Sequence, residues 1–315
     1  MGADSPGFTT SKRRAAAAAL VLGLAILTGG CARTVVAGDL TAFGTAASDI
    51  GKQADLSFRQ SNSLARDMSV ERFIRSGAVG LNEQQFMVAV SAEDMAAWQE
   101  ALSGLERYGT GLASLVDTAR GTATSNALVG LGNQLASGRT GIEISPEVGG
   151  AFASLAGALV NASAQRSARE ILMRTDPSIQ SLLNAMAVAI GETDRDGLRG
   201  TVYANWAASF TGVQRAYAQA AEARNEADQR RLVGQFLAAL DKRDAQLRSL
   251  AALRSSLLSL AAAHSAAAQG APASVASLLQ SIEERLDETK RLYDAFEEDA
   301  RERRSGGNSA GGNDG

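Results

Sequence analysis

The side chains able to do chemistry in this chain are few. His264 is the only histidine and Cys31 the only cysteine among 315 residues. A transition-metal site built from several imidazole or thiolate ligands is therefore out of reach. A serine–histidine–carboxylate relay would have to use His264, and no Gly-x-Ser-x-Gly turn exists to present a serine to it. His264 follows Leu260 by four residues and Leu257 by seven, which puts it on the apolar face of a helix near that helix's C-terminus. The helix dipole favours an imidazolium there, and the expected role is that of a partly buried bundle residue.

Carboxylates are the other opening. Glu192, Asp194 and Asp196 alternate around Arg195 in a glycine-bounded loop, as the first ligands of a calcium loop do. The closing glutamate is missing, because Tyr203 stands at its position. A solvated turn whose acids favour the start of the next helix is the simpler expectation. Glu283, Glu284, Asp287 and Glu288 read as one exposed helix face. Gly130-Leu131-Gly132 lacks both the third glycine and the preceding strand of a phosphate-cradling turn. Trp98 and Trp206 lie on helical stripes, so core packing is expected of both. No catalytic residue, bound cofactor or metal site is expected.

The elements that would position these groups are helical almost throughout. From Asp39, a plausible N-cap, apolar residues recur at Leu40, Phe43, Ala47, Ile50, Ala54, Phe58, Leu64 and Met68. Steps of three and four predict a helix over about 40–75. Leu81–Val90 is a short helix or an extended connector, and Ser91-Ala92-Glu93-Asp94 opens a helix running to about Arg120. Gly104, Gly109 and Gly111 inside it imply close helix approach or kinks. Asp176-Pro177 reads as a helix start, a break is expected near 191–196, and Thr193 with Asp196 reads as a cap. The leucine stripe from Leu232 to Leu260 predicts a helix over about 226–269, stopped by Gly270 and Pro272. A last helix at 274–303 turns Val275, Leu279, Ile282, Tyr293 and Phe296 inward. The Gly/Asn/Ser tail 305–315 has no means of packing and is expected to be disordered.

The stretch 121–164 differs from the rest in being rich in Gly, Ala, Ser and Leu, with Arg139, Glu143 and Glu147 its only charges. It reads as a hairpin of two small-residue helices carrying Leu128, Leu131, Leu135, Phe152, Leu155 and Leu159. Two roles are open to it. It fills the centre of the bundle, where small residues let helices touch, or it enters a bilayer, although each arm is too short to span one.

The N-terminus carries an address. Lys12, Arg13 and Arg14 precede the apolar run Ala15–Leu27, and Gly29-Gly30-Cys31 follows. A basic region, a short apolar region and small residues before a processing point make a secretory signal. Residues 12–32 resemble the signal peptide of a bacterial lipoprotein, with one departure: Thr28 stands where that family most often has leucine, and Leu27 lies one place further back. The resemblance implies cleavage before Cys31, a diacylglycerol on its thiol and a fatty acyl group such as palmitate. It also implies residence in the cell envelope, on the outer membrane if there are two, since Ala32 rather than aspartate follows the cysteine. Two or three acyl chains hold a protein on a membrane where one binds reversibly.

The expected organisation is a cleaved signal at 1–30, a lipidated tether at 31–38, a helical unit at 39–304 and the tail at 305–315. The fold class is all-α: an elongated antiparallel bundle of long, alanine-rich helices joined by short loops. Removal of residues 1–30 takes away three positive charges and one negative, so the net charge moves from −3 to −5. That balance argues against nucleic acid as a partner. The leading expectation is a non-catalytic, membrane-anchored scaffold or adaptor that binds an envelope protein. The second is a membrane-active bundle using 121–164, and the third a carrier or enzyme with an interhelical pocket.

Overall fold

A computed structural model describes residues 37–117, apart from 78 and 87, and residues 167–308, with side chains as far as Asp294 except at 84, 292 and 293. Cys31, the hairpin residues Leu128, Leu131, Leu135, Phe152, Leu155 and Leu159, and the inward positions of Tyr293 and Phe296 lie outside that description.

Every regular element described is helical, and the fold is all-α. The order is α1 (Ala37–Ser76), a 3-10 turn (Glu83–Gln85), α2 (Ala92–Asp117), α3 (Ala168–Ile190), α4 (Gly197–Glu222), α5 (Glu226–Gln269) and α6 (Pro272–Asn308). At 1.5 Å per residue, α1 and α5 are about 60 and 66 Å long.

Helix boundaries follow their caps. Ser91 accepts the Asp94 N–H at 3.0 Å, and the Asp94 carboxylate accepts the Ser91 hydroxyl in return. Asn225 caps α5 through the Asp228 N–H, and Gly270 closes it in the left-handed conformation at φ 76°. Pro272 does not end α5; it is the first residue of α6, where its missing N–H has no helical acceptor to lose.

Three expected boundaries are corrected. Asp39 lies inside the first turn of α1 rather than at its cap, since the helix begins at Ala37. The cap of α4 is Asp196, with no side-chain bond to the helix backbone, while Thr193 bonds to the Asp196 carboxylate at 2.6 Å. The larger correction concerns Asp176-Pro177. The helix starts nine residues earlier, capped by Ser167, and carries Pro177 in its interior. A proline there costs roughly 3 kcal/mol. Ile171, Leu172, Ile179, Leu182 and Leu183 are almost fully buried on either side of it. At about 1.5–3 kcal/mol for each such side chain, their burial outweighs that cost.

Helix α5 is the axis of the unit. It runs antiparallel to α1, as Gln53 meets Ser249 and Ser61 meets Gln246. It runs antiparallel to α3 and α4 as well, through Gln180 with Ala261 and Trp206 with Gln246. Leu250, Leu253, Leu257 and Leu260 are fully buried along it. Small polar residues sit inside the same seam: Ser57 and Ser249 share a hydrogen bond at 3.0 Å, and both are sealed from solvent. Gln246 receives the Trp206 indole N–H at 2.8 Å, so the ladder reaches α4.

Helices α1 and α2 touch through glycine. A Cβ on Gly109 would lie 2.7 Å from the Leu40 carbonyl oxygen and 3.0 Å from the Gly44 Cα. Gly109→Ala should therefore destabilise the unit by about 1–3 kcal/mol through overpacking. Gly234→Ala is the matched control, because its new methyl meets nothing within 4 Å. It should stabilise by about 0.5–1 kcal/mol through helix propensity. Urea unfolding of the two variants reads both signs.

Candidate functional site

The densest polar cluster lies where the C-terminal part of α5 meets α2 and α3. His264 is 1% exposed. Its Nδ1 is 2.8 Å from Asp176 Oδ1 on α3, and its Nε2 is 2.9 Å from the Tyr108 hydroxyl on α2. The Tyr108 hydroxyl also bonds Thr175 Oγ1, which lies one residue before Asp176. Ser265 donates its hydroxyl to both Asp176 oxygens at 3.0 and 2.9 Å, and the Gln180 amide reaches Oδ1 from one turn along α3. Phe43 of α1 packs over both rings, with centroids 5.6 Å from His264 and 6.4 Å from Tyr108.

Acceptor count constrains the protons on the His264 ring. An ionised Asp176 can only accept, so Nδ1 of His264 carries a hydrogen and Nε2 is the acceptor for the Tyr108 O–H. The single Thr175 hydroxyl proton then lies between two acceptors, the Tyr108 oxygen and the Ile171 carbonyl at 2.9 Å. Both nitrogens of a neutral imidazole are thereby paired. Burial pushes the His264 pKa below its ordinary 6.5, against the opposing pull of the Asp176 hydrogen bond. The helix C-terminus does not deliver the imidazolium expected from the sequence, because desolvation of the charged ring dominates. Asp176 is held below the usual carboxylate range, first by its bond to His264 and then by Ser265. Burial pushes the Tyr108 phenol well above its ordinary value.

A carboxylate, an imidazole and a hydroxyl in sequence match the order of a nucleophilic relay. The resemblance ends at the hydroxyl. It belongs to a phenol whose anion burial disfavours, and Tyr108 is only 1% exposed. The adjoining cavity, bounded by Leu40, Phe43, Tyr108 and His264 among others, holds about 10 Å³. That is space for a single water at most. As built, the cluster can hold a proton and fix three helices in register; it has no room for a substrate.

The acidic loop is also accounted for. Asp194 pairs with Arg199 at 2.8 Å, Glu192 with Arg254 at 3.2 Å, and Asp196 accepts from Thr193. The three carboxylates thus face separate partners rather than a shared centre. Among the described residues, no group of three His, Cys, Asp or Glu side chains converges on a cation position. Trp98 is buried against Phe58, and Trp206 is half-buried beside Phe210. Glu283, Glu284, Asp287 and Glu288 are exposed.

Sequence reading found His264 but missed its partners. Tyr108 and Asp176 each occupy a place on an apolar stripe, between Leu105 and Leu112 and between Leu172 and Ile179. A polar residue on the buried stripe of each of three helices was the available signal.

No protein-family model matches the chain, and neither a curated protein nor a solved structure matches it significantly.

The cluster has a measurable pH signature. As pH falls from about 6.5, the unfolded chain takes up a proton on His264 that the folded chain refuses. Stability should fall over that interval. The Asp176 contribution, present above its ordinary 3.8, is lost later, as pH drops through its depressed folded value. Urea titrations across these intervals should show the first slope in the wild type and not in His264→Gln. Tyr108→Phe strands the buried Nε2 without a donor and should cost about 1–3 kcal/mol at neutral pH.

Proposed function

We propose that this chain is a lipid-anchored protein of the bacterial cell envelope whose helical unit acts as a non-catalytic scaffold, holding a protein partner at a membrane surface. The observation that carries the non-catalytic part is the sealing of the only imidazole. The one acid–base grouping built around it is buried beside a cavity of about 10 Å³. The anchor part rests on Gly29-Gly30-Cys31 behind its basic and apolar segments. No helix among the described residues is long and apolar enough to cross a membrane. Long helices packed antiparallel suit a rigid spacer, since each is held along its length by neighbours.

Metabolic labelling with a palmitate analogue, followed by membrane fractionation, tests the anchor. Wild type should carry the label and sediment with membranes, and Cys31→Ser should lose both. A membrane-bound Cys31→Ser with no label on wild type would remove the proposal's foundation.

A second reading has an observation of its own. Leu40 near the start of α1, Leu112 near the end of α2 and Leu172 near the start of α3 line one small cavity. Asp117 and Ser167, which flank residues 118–166, therefore belong to the end of the unit where α1 begins. A lipid ahead of α1 and the charge-poor stretch 121–164 would then serve the same end of the bundle, as a membrane-active protein requires. Liposome leakage lost on Leu131→Asp or Ala156→Asp, with unchanged circular dichroism, would favour this reading. Absence of leakage from wild type would dismiss it.

A further inference from the structure

A pocket of about 220 Å³ opens midway along α1, where the start of α2 faces the turn between α3 and α4. Phe58 of α1, Trp98 of α2, Ile190 of α3 and Leu198 of α4 give it an apolar lining. At roughly 30 Å³ for each water, the space equals about seven waters. Pockets for drug-sized ligands begin at roughly 300 Å³. This one suits a small molecule, or a single side chain of a partner.

Its polar groups select the occupant. Among the described residues that line it, Asp94 alone carries a charge. Oδ2 of Asp94 accepts the Ser91 hydroxyl at 2.7 Å, as part of the cap of α2. Oδ1 is buried and has no hydrogen-bond partner. A carboxylate oxygen withdrawn from water without a donor is uncommon, and a charged donor makes the strongest bond to it. Thr201 at the exposed rim gives its hydroxyl proton to the Gly197 carbonyl at 3.2 Å, which leaves it only acceptor capacity for a ligand. The first turn of α4 borders the pocket at Gly197 and Leu198 and brings a partial positive charge. At roughly +0.5 that is half the charge of the carboxylate, so the balance stays negative.

We infer that this pocket binds a primary ammonium group carried on a short alkyl chain, with the ammonium against Asp94 and the chain among Phe58, Trp98 and Leu198. A lysine side chain of a partner protein and a free alkylamine share that chemistry. The site goes beyond the scaffold reading and does not depend on it. Where the source is a partner's lysine, the pocket is the scaffold's anchor point for that partner.

The test uses the full chain in detergent micelles at neutral pH, labelled with nitrogen-15. Its two tryptophans give two indole N–H resonances, told apart with Trp206→Phe. Butylamine should shift the Trp98 resonance saturably, leave that of Trp206 in place, and bind less tightly as salt is added. Neutral butanol and anionic butyrate should bind at least about tenfold more weakly. Asp94→Asn, which keeps the shape of the side chain and an acceptor for Ser91, should weaken butylamine by about tenfold or more. Thr201→Phe, which narrows the mouth from its exposed rim, should do the same and keeps the test decisive should Asp94→Asn misfold. Circular dichroism reports the folding of both. No saturable shift of Trp98, butanol or butyrate binding as tightly as butylamine, or binding indifferent to both variants overturns the inference. N-acetyl-lysine methylamide assigns the source. Binding as tight as that of butylamine supports the ammonium site with a protein lysine as its ligand, and binding about tenfold weaker supports it with a free amine. Palmitate labelling is read separately, so the anchor can fail while this result stands.

Discussion

A neutral imidazole sealed among three helices is the constraint on which this unit turns. His264 of α5 can be buried only because Asp176 of α3 accepts from one nitrogen and Tyr108 of α2 donates to the other. Remove either partner and a polar ring is left in a dry interior, at a cost of about 1–3 kcal/mol. Such a bond is directional where a leucine contact is not. Sliding one helix past its neighbours by a single turn, ~5.4 Å, would break the hydrogen bonds that tie it into the cluster. Leucine stripes supply the driving force for association, and the polar cluster selects one register.

The same division of labour recurs along α1. Ser57, Ser61 and Ser249 are fully buried, and they bond to Gln53, Gln246 and one another rather than to water. Small hydroxyl side chains and the Gly44–Gly109 crossing bring helix axes close. Stiffness follows from that closeness, since packed interiors resist deformation. A stiff antiparallel unit with its polar chemistry turned inward suits holding a partner more than transforming a substrate, and the scaffold proposal extends this physical point.

Much of the fold was legible because helical periodicity survives in a single sequence. The stripe from Leu232 to Leu260 and the stop at Gly270 placed α5 at about 226–269, where it lies. The break after Ile190 was readable from the glycine-bounded acidic stretch that opens at Gly191. Pro177 misled because a local penalty was weighed without the tertiary burial that overrides it. The site was less legible for a simpler reason. Tyr108 and His264 are 156 residues apart and Asp176 and His264 are 88 apart. Spacing along the chain carries no trace of such contacts. The acidic loop suggested a cation site because charges of one sign were visible locally, while the pairing of Glu192 with Arg254 was not.

Because His264 is the only histidine, its imidazole nitrogens can be observed without assignment. Nitrogen-15 correlation spectra of histidine-labelled protein, recorded between about pH 8 and 5.5, cross the range where an ordinary imidazole titrates. A sealed structural clamp predicts a neutral ring protonated on Nδ1, with no titration near 6.5 while the protein stays folded. A ring that titrates at 6.5 or above, or that carries its proton on Nε2, would contradict the account. It would return His264 to the roles of base or ligand that its burial argues against.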